Sequence, residues 1–225
     1  MTRSPRRSTA AAPLLCAAAL AALAAAGCAA PGGLAPGESV APVSPQPQPE
    51  PLWPAWTGEP PRAAGAATGT RQPPPEPLRG APEVGPGGLA AVDATAVVKA
   101  DKRMKLFLGK GVIHAPGGAG LRPPVHLDLT GNGQQELVVA ADTESGRTAL
   151  SVYAAEGSRI VPVLFTIGRR LTAESLGRDL LVRTAPDDGS EQAVRYHWDG
   201  TRMTVVSDER RYTGPVPCAD GPSSP

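Results

Sequence analysis

The sequence lacks the local signatures by which catalysis is usually recognised. It has no GxSxG elbow, no HExxH helix and no phosphate-cradling glycine loop. Its three histidines, His114, His126 and His197, are too far apart for a metal-ligand spacing. Gly157-Ser158, Gly189-Ser190 and Asp187-Asp188 read as hairpin chemistry rather than as nucleophiles or a carboxylate pair. The chain is therefore not expected to be an enzyme. Clustered basic residues are missing too. Lys and Arg number 22 against 21 Asp and Glu, and Arg169-Arg170 and Arg210-Arg211 are isolated pairs, which excludes a nucleic-acid footprint. Beyond the N-terminal leader, no apolar run approaches the roughly 20 residues needed to span a bilayer. Cysteine is scarce, with three residues, Cys16, Cys28 and Cys218.

What is present begins at the N-terminus. Arg3, Arg6 and Arg7 precede an alanine- and leucine-rich run from Ala10 to Ala26, and Ala25-Ala26-Gly27 forms a small-residue exit. That order predicts a secretory signal over 1–27. Ser8-Thr9-Ala10 after the Arg6-Arg7 pair lack the twin-arginine consensus, which favours the general secretory route. The small triplet followed by Cys28 resembles the bacterial lipobox, with Ala25 where that motif usually carries Leu. The resemblance implies cleavage between Gly27 and Cys28 and a diacylated Cys28 on the extracytoplasmic face of a membrane. Cys16 would be discarded with the leader, leaving Cys218 as a free thiol on a tail over 214–225. Without lipidation, Cys28 and Cys218 could pair in an oxidising compartment. Removing the leader takes the formal net charge from +1 to −2.

Residues 28–88 read as a disordered Pro-rich tether. Sixteen prolines lie between Pro31 and Pro86, and each removes a backbone donor that helices and sheets require. Such a segment reaches up to roughly 3 Å per residue when extended. Leu52-Trp53-Pro54-Ala55-Trp56 interrupts its polar run. The two tryptophans could dock on the folded domain, on a partner or at a membrane interface, or be incidental to a linker.

A β domain is expected over 89–213. Sliding the sequence against itself gives an ungapped match at an offset of 43 residues. Glu136-Leu137-Val138-Val139 falls on Asp179-Leu180-Leu181-Val182, Gly146 on Gly189, Tyr153 on Tyr196, and Glu156-Gly157 on Asp199-Gly200. The repeats span about 125–167 and 171–210. Expected strands are 125–128, 136–141, 148–154 and 159–165, then a weak one at Leu171, 179–184, 192–198 and 202–207. Four short antiparallel strands per copy is the size of a propeller blade, and two blades cannot close a ring. The two sheets should pack face to face or continue one another. A helix over 97–108, with Asp93 as cap and Gly109 as stop, should precede them. Alternation predicts that the first sheet is covered on both faces, with Leu150, Val152 and Ala154 opposite Ser151 and Tyr153. The second sheet should expose an Arg195 and His197 face, a candidate contact surface.

The stretch from His126 to Val139 resembles the calcium loop of FG-GAP and VCBS-type repeats. That resemblance implies side-chain oxygens from Asp128, Asn132 and Glu136, a hydroxyl or water link from Thr130 and the Gln134 carbonyl. With carboxylates missing at Thr130 and Asn132, calcium affinity should be weak, on the order of 10⁻⁴ to 10⁻³ M. A turn shaped by Gly131 and Gly133 is the competing reading. In the second copy Leu171, Ala173 and Ser175 replace the ligand positions.

Leader, lipobox, Pro-rich tether and small β domain together are similar to actinobacterial (Streptomyces-type) envelope lipoproteins, some of which modulate an envelope-stress sigma-factor and sensor-kinase system. The resemblance implies a lipid-anchored binding or regulatory module on the cell membrane, with an envelope protein such as a sensor kinase as partner. The alternative is a wall-glycan-binding or adhesive module using Tyr153, Tyr196 and Trp198. A solute receptor is disfavoured, because one small duplicated domain lacks a two-lobed cleft.

Overall fold

Alternation of apolar and polar residues from Val125 onward yields a mainly β structure. A computed structural model describes residues 47–57, 74–109, 111–185 and 190–212. Gly27, Cys28, Asp187, Asp188, Gly189 and Cys218 lie outside the described residues, as do the leader and the tail. Two antiparallel sheets of five strands and one α-helix make up the described fold. The first sheet holds β2 (Gly120–Leu121), β3 (Val125–Leu127), β4 (Glu136–Asp142), β5 (Arg147–Glu156) and β6 (Arg159–Arg169). Both β2 and β3 pair along one edge of β4. The second sheet runs in the order β1 (Glu50–Pro51), β7 (Thr172–Leu176), β8 (Asp179–Thr184), β9 (Ser190–Trp198) and β10 (Met203–Tyr212).

β4, β5 and β6 recur at the 43-residue offset as β8, β9 and β10, whereas β7 begins just after the weak strand expected at Leu171 and corresponds to 129–133, the loop between β3 and β4. Pairing follows the same register in both copies. Leu137 lies opposite Tyr153 in the first sheet, and Leu180 lies opposite Tyr196 in the second. At the β5–β6 turn, Gly157 takes a positive φ of 64°, a conformation that costs glycine little.

The sheets pack face to face around one core and do not continue one another. Val138, Ala140, Leu150 and Val152 from the first sheet meet Leu180, Val182, Val194, Tyr196 and Met203 from the second. On the other face of the first sheet, Leu137, Val139, Ala141, Ala149 and Tyr153 form a second cluster with Val97, Val98, Met104 and Phe107. Both faces of the first sheet are thus covered. Burying each of the Val, Leu, Met and Phe side chains contributes about 1.5–3 kcal/mol.

Packing is therefore head to tail. The face of the first sheet that meets the second corresponds, at the 43-residue offset, to Leu181, Arg183, Ala193 and Arg195, the face that the second sheet leaves open. Repeat arrays stack in this sense and end in a polar face that caps the stack.

Two expectations are corrected. The helix α1 (Ala94–Ala100) is earlier and shorter than 97–108, with Asp93 accepting from the Thr95 N–H. It stops because the Asp101 carboxylate accepts from the Arg103 backbone N–H, the Arg103 guanidinium and the Tyr153 hydroxyl. Such local side-chain bonds compete with the helical ladder. Nor is 28–88 wholly tether. Residues 50–56 line the edge of β7, with the Leu52 N–H donating to the Ala173 carbonyl. Leu78 and Val84 donate to the Ile160 and Ser158 carbonyls. Proline-rich chain joins a fold when it needs few ladder bonds, as along a sheet edge.

Candidate functional site

The calcium-like loop is closed by its own hydrogen bonds. Asp128 accepts from the Gly131 N–H at 2.7 Å and the Gly133 N–H at 3.0 Å. Asn132 Oδ1 accepts from the Gln134 N–H at 2.7 Å. Glu136 Oε2 takes the Leu129 and Thr130 N–H groups at 2.7 and 3.1 Å, and its Oε1 takes the Thr130 hydroxyl at 3.1 Å. Burial pushes the Glu136 carboxyl above its ordinary value, against the Leu129 and Thr130 bonds that favour the charged form. Among the described residues no group of three or more His, Cys, Asp or Glu side chains could hold a metal ion. The Arg178 guanidinium, from the β7–β8 turn, also packs directly against Gly131. Asp128, Thr130, Asn132, Gln134 and Glu136 come together as expected. With the carboxylates turned onto N–H groups, however, this donor set fits a self-satisfied turn and not a calcium site.

The open face of the second sheet is ordered by charge. Asp179 is 5% exposed and binds two residues of β9: Arg195 on one oxygen and His197 on the other, with Nδ1 to Oδ1 at 2.6 Å. A carboxylate only accepts, so the His197 proton sits on Nδ1. Burial raises the Asp179 carboxyl, and the bonds from His197 and Arg195 outweigh it, leaving the pKa below the ordinary value. Four residues along β8 from Asp179, Arg183 reaches Glu174 on β7 and Glu191 on β9, each at 3.1 Å. The outward tips of Arg195 and His197 stay exposed, as alternation predicted. A prearranged, mixed-sign surface of this kind can complement a partner of matching charge pattern.

Tyr153 and Tyr196 are buried in the two cores and Trp198 packs partly against one of them, so these residues form no exposed aromatic platform. Burial also pushes both tyrosine hydroxyls above their ordinary pKa.

A third constellation was missed by spacing arguments. Arg122 is 1% exposed, and its guanidinium meets Asp142 twice, through Nε at 3.0 Å and Nη2 at 2.7 Å. It also donates to the Leu171 carbonyl and the Thr148 hydroxyl. Trp53 and Trp56 stack on it, their ring centres 5.3 and 5.2 Å from its central carbon. Trp53 donates to the Pro123 carbonyl, and Trp56 donates to Asp142 Oδ2 at 2.9 Å. The sequence held only a hint: two of its three tryptophans stand in the Pro-rich segment. Among the described residues, no helix is long and apolar enough to cross a membrane. No protein-family model, curated protein or solved structure matches this chain.

Proposed function

We propose that this chain is a membrane-anchored extracytoplasmic lipoprotein whose β domain is a binding and regulatory module modulating an envelope-stress sensor. Its attachment is the diacylated Cys28 left after cleavage behind Gly27. Its sheets are two blade-like repeats of one duplicated unit, and no catalysis is assigned to them. The observation that carries the reading is the open face of the second sheet. There Asp179 fixes Arg195 and His197, and Arg183 bridges Glu174 and Glu191. Immobilised charges of both signs cost little further ordering on binding, which suits recognition of a folded extracytoplasmic domain such as that of a sensor kinase.

Photo-crosslinking in intact cells tests it. A crosslinker placed at His197 or Leu181 should capture one sensor protein that a crosslinker at Ser158, exposed in the β5–β6 turn, does not capture. Equal capture from both places, or no capture of a sensor from the open face, overturns the reading.

A further inference from the structure

Beside the Arg122–Asp142 pair a cavity of about 730 Å³ opens, within the roughly 300–1,000 Å³ of small-ligand sites. The Trp56 segment, the turn around Gly117, the β4–β5 turn and the facing ends of β7 and β8 enclose it.

Its chemistry narrows the ligand. Arg122, Arg170 and Arg183 line it together with Asp142, Glu144, Glu174 and Glu191. Asp142 is matched by Arg122, and Glu174 and Glu191 by Arg183. A strong anion would meet the carboxylates and a strong cation the guanidinium groups. Donors and acceptors placed together at near-balanced charge suit a neutral ligand rich in hydroxyls. The lining threonines, Thr57, Thr143, Thr148, Thr172 and Thr184, add groups that both donate and accept. Trp56, half-buried at the wall, offers an apolar ring to the C–H face of a sugar.

Two features mark the wall as built for more than packing. Thr184 is 7% exposed and its buried Oγ1 has no hydrogen-bond partner, an unmet bond that a ligand hydroxyl could supply. Rotation about χ1 exchanges its methyl and hydroxyl. Arg170 holds a φ of +44°, and among the described residues no other non-glycine has positive φ. Its N–H is tied to the Gly146 carbonyl at 2.9 Å. Strained backbone persists where surroundings over-determine it, and it gathers at ligand sites.

We infer that this cavity is a binding site for a neutral, polyhydroxylated ligand, a short oligosaccharide. The cavity shares Arg183, Glu174 and Glu191 with the open face of the second sheet, but the inference does not rest on a partner at Arg195 and His197.

Calorimetric titration of the mature full chain tests it, using cellobiose, maltose and diacetylchitobiose, with trilysine and inorganic phosphate as charged controls. At least one disaccharide should bind and raise the melting midpoint, while neither control does. Thr184→Val and Glu144→Gln, the second at an exposed position and tolerable to the fold, should each weaken that sugar at least tenfold. Absence of binding by all three sugars overturns the inference. So does preference for trilysine or phosphate, or sugar binding that neither variant alters.

Discussion

Tyr153 and Tyr196 hold the same register position in their hairpins, opposite Leu137 and Leu180, yet they point into different cores. Tyr153 faces the helix side of the first sheet, where its hydroxyl donates to Asp101 Oδ2 at 3.1 Å. Tyr196 faces the interior between the sheets. The second sheet thus packs its Tyr196 face onto the face of the first sheet opposite Tyr153. Its own outer face carries Arg183 and Arg195 where the 43-residue offset places Ala140 and Val152 of the first sheet.

Trp53→Ala should destabilise the domain by about 3–5 kcal/mol, read from urea unfolding. Trp53 is 4% exposed in the core shared by the sheets. An unchanged midpoint would mean that 50–56 is merely spacer.

Asp142→Ala should cost about 3–5 kcal/mol, because it strands a buried guanidinium. Arg122→Lys should fall well short of rescue. An ammonium cannot reproduce the double contact with Asp142 or the stacking between two indoles. Thermal melts of the two variants check this.

Glu136→Ala leaves the Leu129 and Thr130 N–H groups without partners and should cost about 2–6 kcal/mol, from roughly 1–3 for each unsatisfied group. Glu136→Gln keeps an acceptor and should cost much less. The carboxyl's raised pKa sets the pH dependence. Its contribution is full below the ordinary value of 4.5 and is lost as pH rises through the raised value, so wild type should gain on Glu136→Gln as pH falls towards 4.5. Millimolar calcium should leave the melting midpoint of both unmoved.

Asp179 behaves oppositely. Its lowered pKa means that the Arg195 and His197 contacts contribute above the ordinary value of 3.8 and fade as pH falls below it. Asp179→Asn should remove that acid-limb sensitivity in a stability profile against pH.

Cys28→Ala should move the protein from the detergent phase to the aqueous phase on detergent partitioning. Equal partitioning of wild type and variant would remove the anchor.

Strand positions and the covered and open faces were legible because period-2 alternation maps directly onto burial in an antiparallel sheet. Leu150, Val152 and Tyr153 declare two apolar faces, whereas Arg195 and His197 declare one solvated face. The Trp53–Trp56 strap was not legible, because Trp56 and Asp142 meet across 86 positions and composition around the tryptophans argues for an unfolded chain. The helix end depended on Asp101 bonding Tyr153, a contact made only in the folded state. The direction of the loop's oxygens was not legible: residue types at Asp128 and Glu136 say that oxygens are near, and only geometry says that they face N–H groups.

The regulatory claim is tested most directly by a reporter of envelope-stress sigma-factor activity in cells lacking this gene and complemented with the full-length chain. Wild type should restore the basal reporter level, and Arg195→Ala with His197→Ala, folded and membrane-associated, should fail to restore it. Full restoration by the double variant, or a reporter indifferent to loss of the gene, would contradict the account.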